Sequence, residues 1–162
     1  MIEKKEYISR RQELMSMMHK NSIAVISSAP EKVRSRDTNY PYKQNVNLTY
    51  LAGFPEPESV LVLIPDREDG QVILFCRDKD PLRETWDGYR EGPASAIKKY
   101  GFDDAFPISD IDDILPNLIE GKDRLYYAVG KDADFDKRIM DWVNHVKSQR
   151  GNGALPPGEF VD

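Results

Sequence analysis

The feature that most constrains the fold is an alternation of short apolar runs with amphipathic stretches along 162 residues. Residues 3–19 place Tyr7, Ile8, Leu14, Met15 and Met18 on one face at helical spacing, with Arg10, Arg11 and Glu13 on other sides. Ile23 to Ile26 then form a continuous apolar run, the pattern of a strand covered on both faces. Strand candidates follow at 48–52, 59–64 and 71–76. A Gly-Phe-Pro-Glu-Pro turn separates the first two, and a turn ending in Gly70 makes the last two read as a hairpin. Pro93 to Tyr100 reads as a helix with proline in its first position and Gly101 at its close. Ser109-Asp-Ile-Asp112 resembles a capping box opening a helix to about Ile119, in which Pro116 predicts a kink unless it falls in the first turn. A strand is expected at 124–129. The helix expected at 134–147 carries Phe135, Ile139, Trp142, Val143 and Val146 on one stripe.

Strands interleaved with helices over this length predict one α/β domain, spanning 1–149. The remaining 150–162 are rich in glycine and proline and read as the start of a linker to a further domain. Two polar connections stand out. The stretch 30–47 is long for a loop in a compact domain, which is a mark of function or of an interface. The stretch 78–93 reads as a second loop and holds Trp86, Gly88, Tyr89, Arg90 and Gly92.

Apolar residues make up 40% of the chain, enough for a real core, and the 31% that are charged describe a solvated surface. The net charge of -5 comes with both signs interspersed and no basic stripe, which argues against nucleic acid as a partner. The longest apolar run, Val60 to Ile64, is too short to span a membrane. With no apolar leader after Met1, the expected compartment is the cytoplasm, and the sequon at Asn47 is read as coincidence. Cys76 is the single cysteine, so no disulfide can form within the chain; inside an apolar run it reads as a small buried hydrophobe.

Motifs that carry chemistry are missing. His19 and His145 stand at the ends of different helices, outside any HExxH spacing, and GxSxG is absent. The lysines of Gly121-Lys-Asp and Gly130-Lys-Asp lack both the upstream glycine and the following Ser or Thr of a phosphate loop, so turns are expected. Asp110, Asp112 and Asp113 suit a helix's first turn better than a metal site. Of the two polar segments, the one holding Tyr40, Tyr42, Lys43, Gln44 and Asn45 reads as a long loop pinned by its tyrosines. Trp86, with Tyr89 and Arg90 beside it, is poorly explained as core. These residue types are enriched at interface hot spots, so interface or substrate contact is the stronger reading and local packing the weaker.

Both segments also carry a resemblance. The stretch from Tyr40 through Gly53 and Phe54, followed by Glu56-Pro-Glu58, resembles the hallmark of aminopeptidase P N-terminal domains. Glu84-Thr-Trp86-Asp-Gly88-Tyr-Arg90-Glu-Gly92 resembles that family's second hallmark, and Tyr7 to Leu14 fits its opening helix. Lys43 stands where the family often has Arg, and Val46 where it often has Ser. The resemblance spans nearly the whole chain. It implies a mixed sheet of about six strands with helices on its faces, and a parent Xaa-Pro aminopeptidase that releases an N-terminal residue preceding proline. It implies no catalytic or metal-binding residue in this chain: two metal ions, commonly Mn2+, belong to a C-terminal pita-bread domain. The N-terminal domain is implied to serve oligomer assembly and active-site access, touching its own C-terminal domain, neighbouring subunits and peptide substrates with proline second. Trp86, Arg90 and Tyr89 would be its access or intersubunit contacts, and Tyr40, Tyr42, Gln44, Asn45 and Gly53 a structural hallmark loop. A prolidase or creatinase-like parent, or a stand-alone interaction domain, remain the alternatives.

Overall fold

The computed structural model describes residues 2–31, 42–149 and, as backbone, 159–161. Its helices are α1 (Lys4–Met17), α2 (Val46–Ala52), α3 (Pro81–Asp87), α4 (Pro93–Tyr100), α5 (Ile111–Ile119) and α6 (Ala133–Ser148). Its strands are β1 (Ser22–Ser27), β2 (Val60–Leu63), β3 (Val72–Cys76), β4 (Asp104–Pro107), β5 (Arg124–Tyr126) and β6 (Glu159–Val161). They form one mixed sheet in the order β4-β3-β2-β1-β5-β6. The β1–β2 and β2–β3 pairs are antiparallel, whereas β1–β5, β3–β4 and β5–β6 are parallel.

Successive strand residues point to opposite faces, and here both faces are covered. Ile23, Val25, Val60, Val62, Ile73 and Phe75 pack with α5 and α6, through Ile111, Leu115, Ile119, Ile139 and Trp142. Ala24, Leu61, Leu63, Leu74 and Cys76 pack with α1, α2 and α4, through Met15, Leu48, Leu51 and Ala96. Two buried faces need apolar side chains at both parities, which is why β1 to β3 read as unbroken apolar runs. Cys76 is fully buried, and the α6 stripe of Phe135, Ile139, Trp142, Val143 and Val146 lies inward as its spacing predicts. Among the described residues, no helix is long and apolar enough to cross a membrane.

Several local expectations are corrected. Residues 48–52 are not a strand but most of α2. The Asn45 side chain caps that helix by accepting from Asn47 N and Leu48 N at 2.9 and 3.1 Å. Gly53 closes it at φ 66°. The connection 78–93 contains α3, capped by Asp80, which accepts from Arg83 N at 3.2 Å. The strand at 124–129 ends at Tyr126. Ser109 sits in a 3-10 turn, Ile108–Asp110, and no side chain caps α5, so the capping box does not form. Pro116 lies beyond the first turn of α5, yet the helix continues to Ile119, with Glu120 N donating to Pro116 O at 3.0 Å. Two edge strands, β4 and β6, are too short to have been expected from the sequence, and β6 lies within the glycine- and proline-rich tail read as linker.

Arg11 is the largest departure. Assigned to a polar side of α1, it is only 1% exposed. Its guanidinium donates to Leu51 O (2.9 Å), Tyr100 O (3.0 Å) and Gly101 O (3.2 Å). These carbonyls belong to the C-terminal ends of α2 and α4, which lack intrahelical donors. One planar fork therefore joins three helices. Burial lowers its pKa to about 10, against the opposing pull of Asp103.

Candidate functional site

The two hallmark segments meet in space through polar contacts. Tyr40 lies outside the described residues. The Tyr42 hydroxyl donates to Ala29 O, and burial pushes its pKa up to about 12. Gln44 Oε1 accepts from Ala29 N at 3.1 Å and from Asn45 N at 2.8 Å. Its Nε2 donates to Phe54 O at 3.0 Å and to Glu56 O at 2.9 Å. A glutamine amide has both donors and acceptors, and here one amide ties the chain after β1 to the turn after α2. Gly53 at that turn has φ 66°, and a Cβ added there would lie 2.5 Å from Tyr7 Cζ.

From Glu56 the network passes to the second segment. Its carboxylate, in a residue 8% exposed, accepts from Glu91 N at 2.8 Å and stands 3.3 Å from Arg77 Nη2. Glu91, 4% exposed, accepts from the Tyr89 hydroxyl and has Lys99 Nζ at 3.7 Å. That hydrogen bond, together with desolvation, raises the Tyr89 pKa. A buried carboxylate is stable only when paired and hydrogen-bonded, and both of these are. Residues 56, 77 and 91 thus seat the start and end of the 78–93 connection.

Two of the three expected contact residues, Trp86 and Tyr89, project from this base. Trp86 is 85% exposed and belongs to the last turn of α3, not to a loop; Leu82, one turn earlier, is 80% exposed. Tyr89 is 63% exposed, while the Arg90 side chain is mostly covered, with Asp87 Oδ2 at 3.9 Å from its Nη2. No residue of α3 is buried. Beneath the helix lies a polar cleft of about 600 Å³ whose wall includes Arg77, Asp80, Arg83, Asp87 and Arg90. An aromatic-aliphatic face is therefore carried outward on polar supports, an arrangement suited to contacting another molecule. An apolar groove of about 540 Å³ opens elsewhere, beside the ends of β1 and β5, with Asn45 of the first hallmark segment, Leu14 and Met18 of α1 and Lys131 of the Gly130-Lys-Asp turn in its wall.

His19 and His145 are exposed, and Asp112 is engaged by Trp142 Nε1 (2.8 Å) and Arg138 Nη2 (3.3 Å). Among the described residues, no group of three or more His, Cys, Asp or Glu side chains could hold a metal ion. Sequence reasoning missed Lys79, Arg77, Glu56 and Glu91. The available signal was weak: Glu56 is an acid between two prolines, and Glu91 lies inside the second hallmark.

Comparison with known proteins gives a consistent result. The family described as "Aminopeptidase P, N-terminal domain" matches residues 7–126. The Xaa-Pro aminopeptidase of Escherichia coli (strain K12) is 37% identical over 162 residues, covering 99% of this chain and 37% of that protein. The structure of Pseudomonas aeruginosa aminopeptidase PepP superposes with a TM-score of 0.95 at 56% identity, covering 99% of this chain and 36% of that one. Zinc-substituted E. coli aminopeptidase P in complex with product superposes with a TM-score of 0.93 at 36% identity, again over 99% of this chain and 37% of that one. The chain thus spans little more than a third of the length of these relatives.

Proposed function

Because this chain belongs to the aminopeptidase P N-terminal domain family, we propose that it serves a longer Xaa-Pro aminopeptidase as a non-catalytic domain for assembly and access. The longer enzyme releases an N-terminal residue that precedes proline. Its chemistry would rest on a C-terminal domain with two metal ions, manganese in this reading, which would supply an activated water and polarisation of the scissile carbonyl. No step of the reaction is routed through the present chain.

The observation that carries the access role is the 85% exposure of Trp86 on a helix that buries nothing of its own. An aromatic side chain held in water this way costs apolar hydration unless a partner covers it. We assign that partner to a neighbouring subunit, with the passing Xaa-Pro peptide meeting the same face. Trp86, Tyr89 and Arg90 form that contact. Tyr42, Gln44, Asn45 and Gly53 hold its base, and Tyr40 is assigned with them from its place in the hallmark. The cytoplasm, where a lone thiol stays reduced, suits the buried Cys76.

The test is Trp86→Ala in the full-length enzyme. The expected outcome is a loss in kcat/KM on Xaa-Pro peptides with the melting temperature unchanged to within about 2 °C, because exposed sites contribute little to stability. Unchanged kinetics, or a loss matched by unfolding, removes the access role.

A further inference from the structure

Since α3 has no apolar underside, something else must fix the direction in which Trp86 points. Lys79, just before α3, is placed to do so. Its Nζ donates to Glu84 Oε1 at 2.8 Å and to Arg90 O at 2.8 Å. The same Glu84 oxygen accepts from Arg90 N at 2.9 Å. The Lys79–Glu84 pair therefore takes both backbone groups of Arg90, and it clamps together the two ends of the segment that carries Trp86. The ammonium also sits 4.1 Å from the centroid of the Tyr89 ring, a cation–π distance.

Two glycines define how this clamp works. At Gly92, φ is 77°, and an added Cβ would meet Lys79 Cβ at 3.2 Å and Lys79 N at 3.4 Å. The returning chain thus lies directly against the backbone of Lys79, which brings its side chain to Arg90. At Gly88, φ is 94°, and an added Cβ would meet nothing within 4 Å. The joint between Trp86 and Tyr89 stands in open space, so steric packing does not hold it. The other ion pairs nearby are looser, with Arg83 and Arg90 nitrogens 3.7 and 3.9 Å from Asp87 Oδ2.

We propose that Lys79, acting through Glu84 and the Arg90 peptide, is a positioning residue that fixes the outward presentation of Trp86. Its contribution is to orientation more than to stability: the Lys79 side chain is half exposed, and ion pairs of that kind contribute little to folding. The hydrogen bond to Glu84 raises the Lys79 pKa, and the hydrogen bond from Lys79 lowers that of Glu84, so both stay charged through the neutral range. Because the ammonium is half exposed, the clamp also weakens in part as salt rises, since screening at about 1 M shortens the Debye length to about 3 Å.

The kinetic half of the test rests on the access role assigned to Trp86, and the spectroscopic half does not. Fluorine NMR of fluorotryptophan-labelled protein reports Trp86 and Trp142 separately, and Trp86→Phe assigns the two signals. In Lys79→Met, the Trp86 resonance should sharpen and move toward the position of free fluorotryptophan, with the buried Trp142 resonance unmoved. Lys79→Arg should restore the wild-type signal, and salt near 1 M should move the wild-type resonance part of the way toward that of Lys79→Met. A Trp86 resonance indifferent to Lys79→Met overturns the proposal. In the full-length enzyme, Lys79→Met should raise KM for Xaa-Pro peptides roughly five- to tenfold with kcat within about twofold. If Trp86 is mobilised and KM stays put, the clamp stands and the access role of Trp86 falls.

Discussion

Replacing Arg11 by methionine tests the packing that supports the site's base. The substitution keeps most of the aliphatic stem and removes every donor. It strands Leu51 O, which lies in a buried environment, and leaves Tyr100 O and Gly101 O, at a part-buried position, to find water. An unsatisfied buried acceptor costs about 1–3 kcal/mol, and hydrogen bonds from a charged donor contribute about 1.5–3 kcal/mol each. Against that loss stands relief of a buried charge, whose cost is visible in the pKa lowered to about 10 and in an Nε with no partner. The balance is a destabilisation of about 2–3 kcal/mol. For a chain of this length that lowers Tm by about 4–12 °C. Urea unfolding followed by far-ultraviolet circular dichroism measures it as a fall in midpoint with the m-value unchanged. Arg11→Lys should recover only part of the loss, since a point donor does not span carbonyls on two helix ends. A loss under about 0.5 kcal/mol for Arg11→Met would refute the argument that one buried fork unites α1, α2 and α4.

Two further outcomes follow from individual residues. Gly53→Ala should destabilise by about 2 kcal/mol or more in the same assay, from a positive φ and a Cβ at 2.5 Å from the Tyr7 ring. Pairing it with Tyr7→Ala should recover the steric share, and full additivity would speak against the clash. Burial pushes the pKa values of Cys76, Tyr42 and Tyr100 up to about 12. Folded values above the unfolded ones, about 8.5 for Cys and 10 for Tyr, mean that the fold holds these protons more tightly. That stability is fully present below about pH 8.5 and is lost as pH rises toward 12, so urea midpoints should fall across that window. Cys76 should likewise resist a thiol reagent at pH 8 in native protein and react in urea; rapid native labelling would contradict its burial.

The sheet's centre and the α6 stripe were legible because hydrophobic periodicity records which faces are covered. α2 was not, because Leu48, Thr49, Tyr50 and Leu51 suit a strand by propensity, and the Asn45 cap with the left-handed Gly53 decides otherwise. Edge strands pair through backbone groups and need no apolar pattern: β4 is only half-buried, and its Pro107 is tolerated at an edge. Arg11 misled because a charge was placed on a helix's wet side, when three helix-end carbonyls can stand in for water. Trp86 was legible as a large aromatic in a polar setting. Its supports were not, since Lys79, Glu56 and Arg77 become its neighbours only once β3, α3 and the α2 turn are in place.

We propose this chain to be the non-catalytic part of an Xaa-Pro aminopeptidase. The most direct measurement compares residues 1–162 with the full-length enzyme for release of the N-terminal residue from an Xaa-Pro peptide in the presence of Mn2+. Turnover is expected from the full-length enzyme, selective for proline in the second position, and none from residues 1–162. Turnover by the 162 residues alone, or a full-length enzyme indifferent to proline, would contradict it.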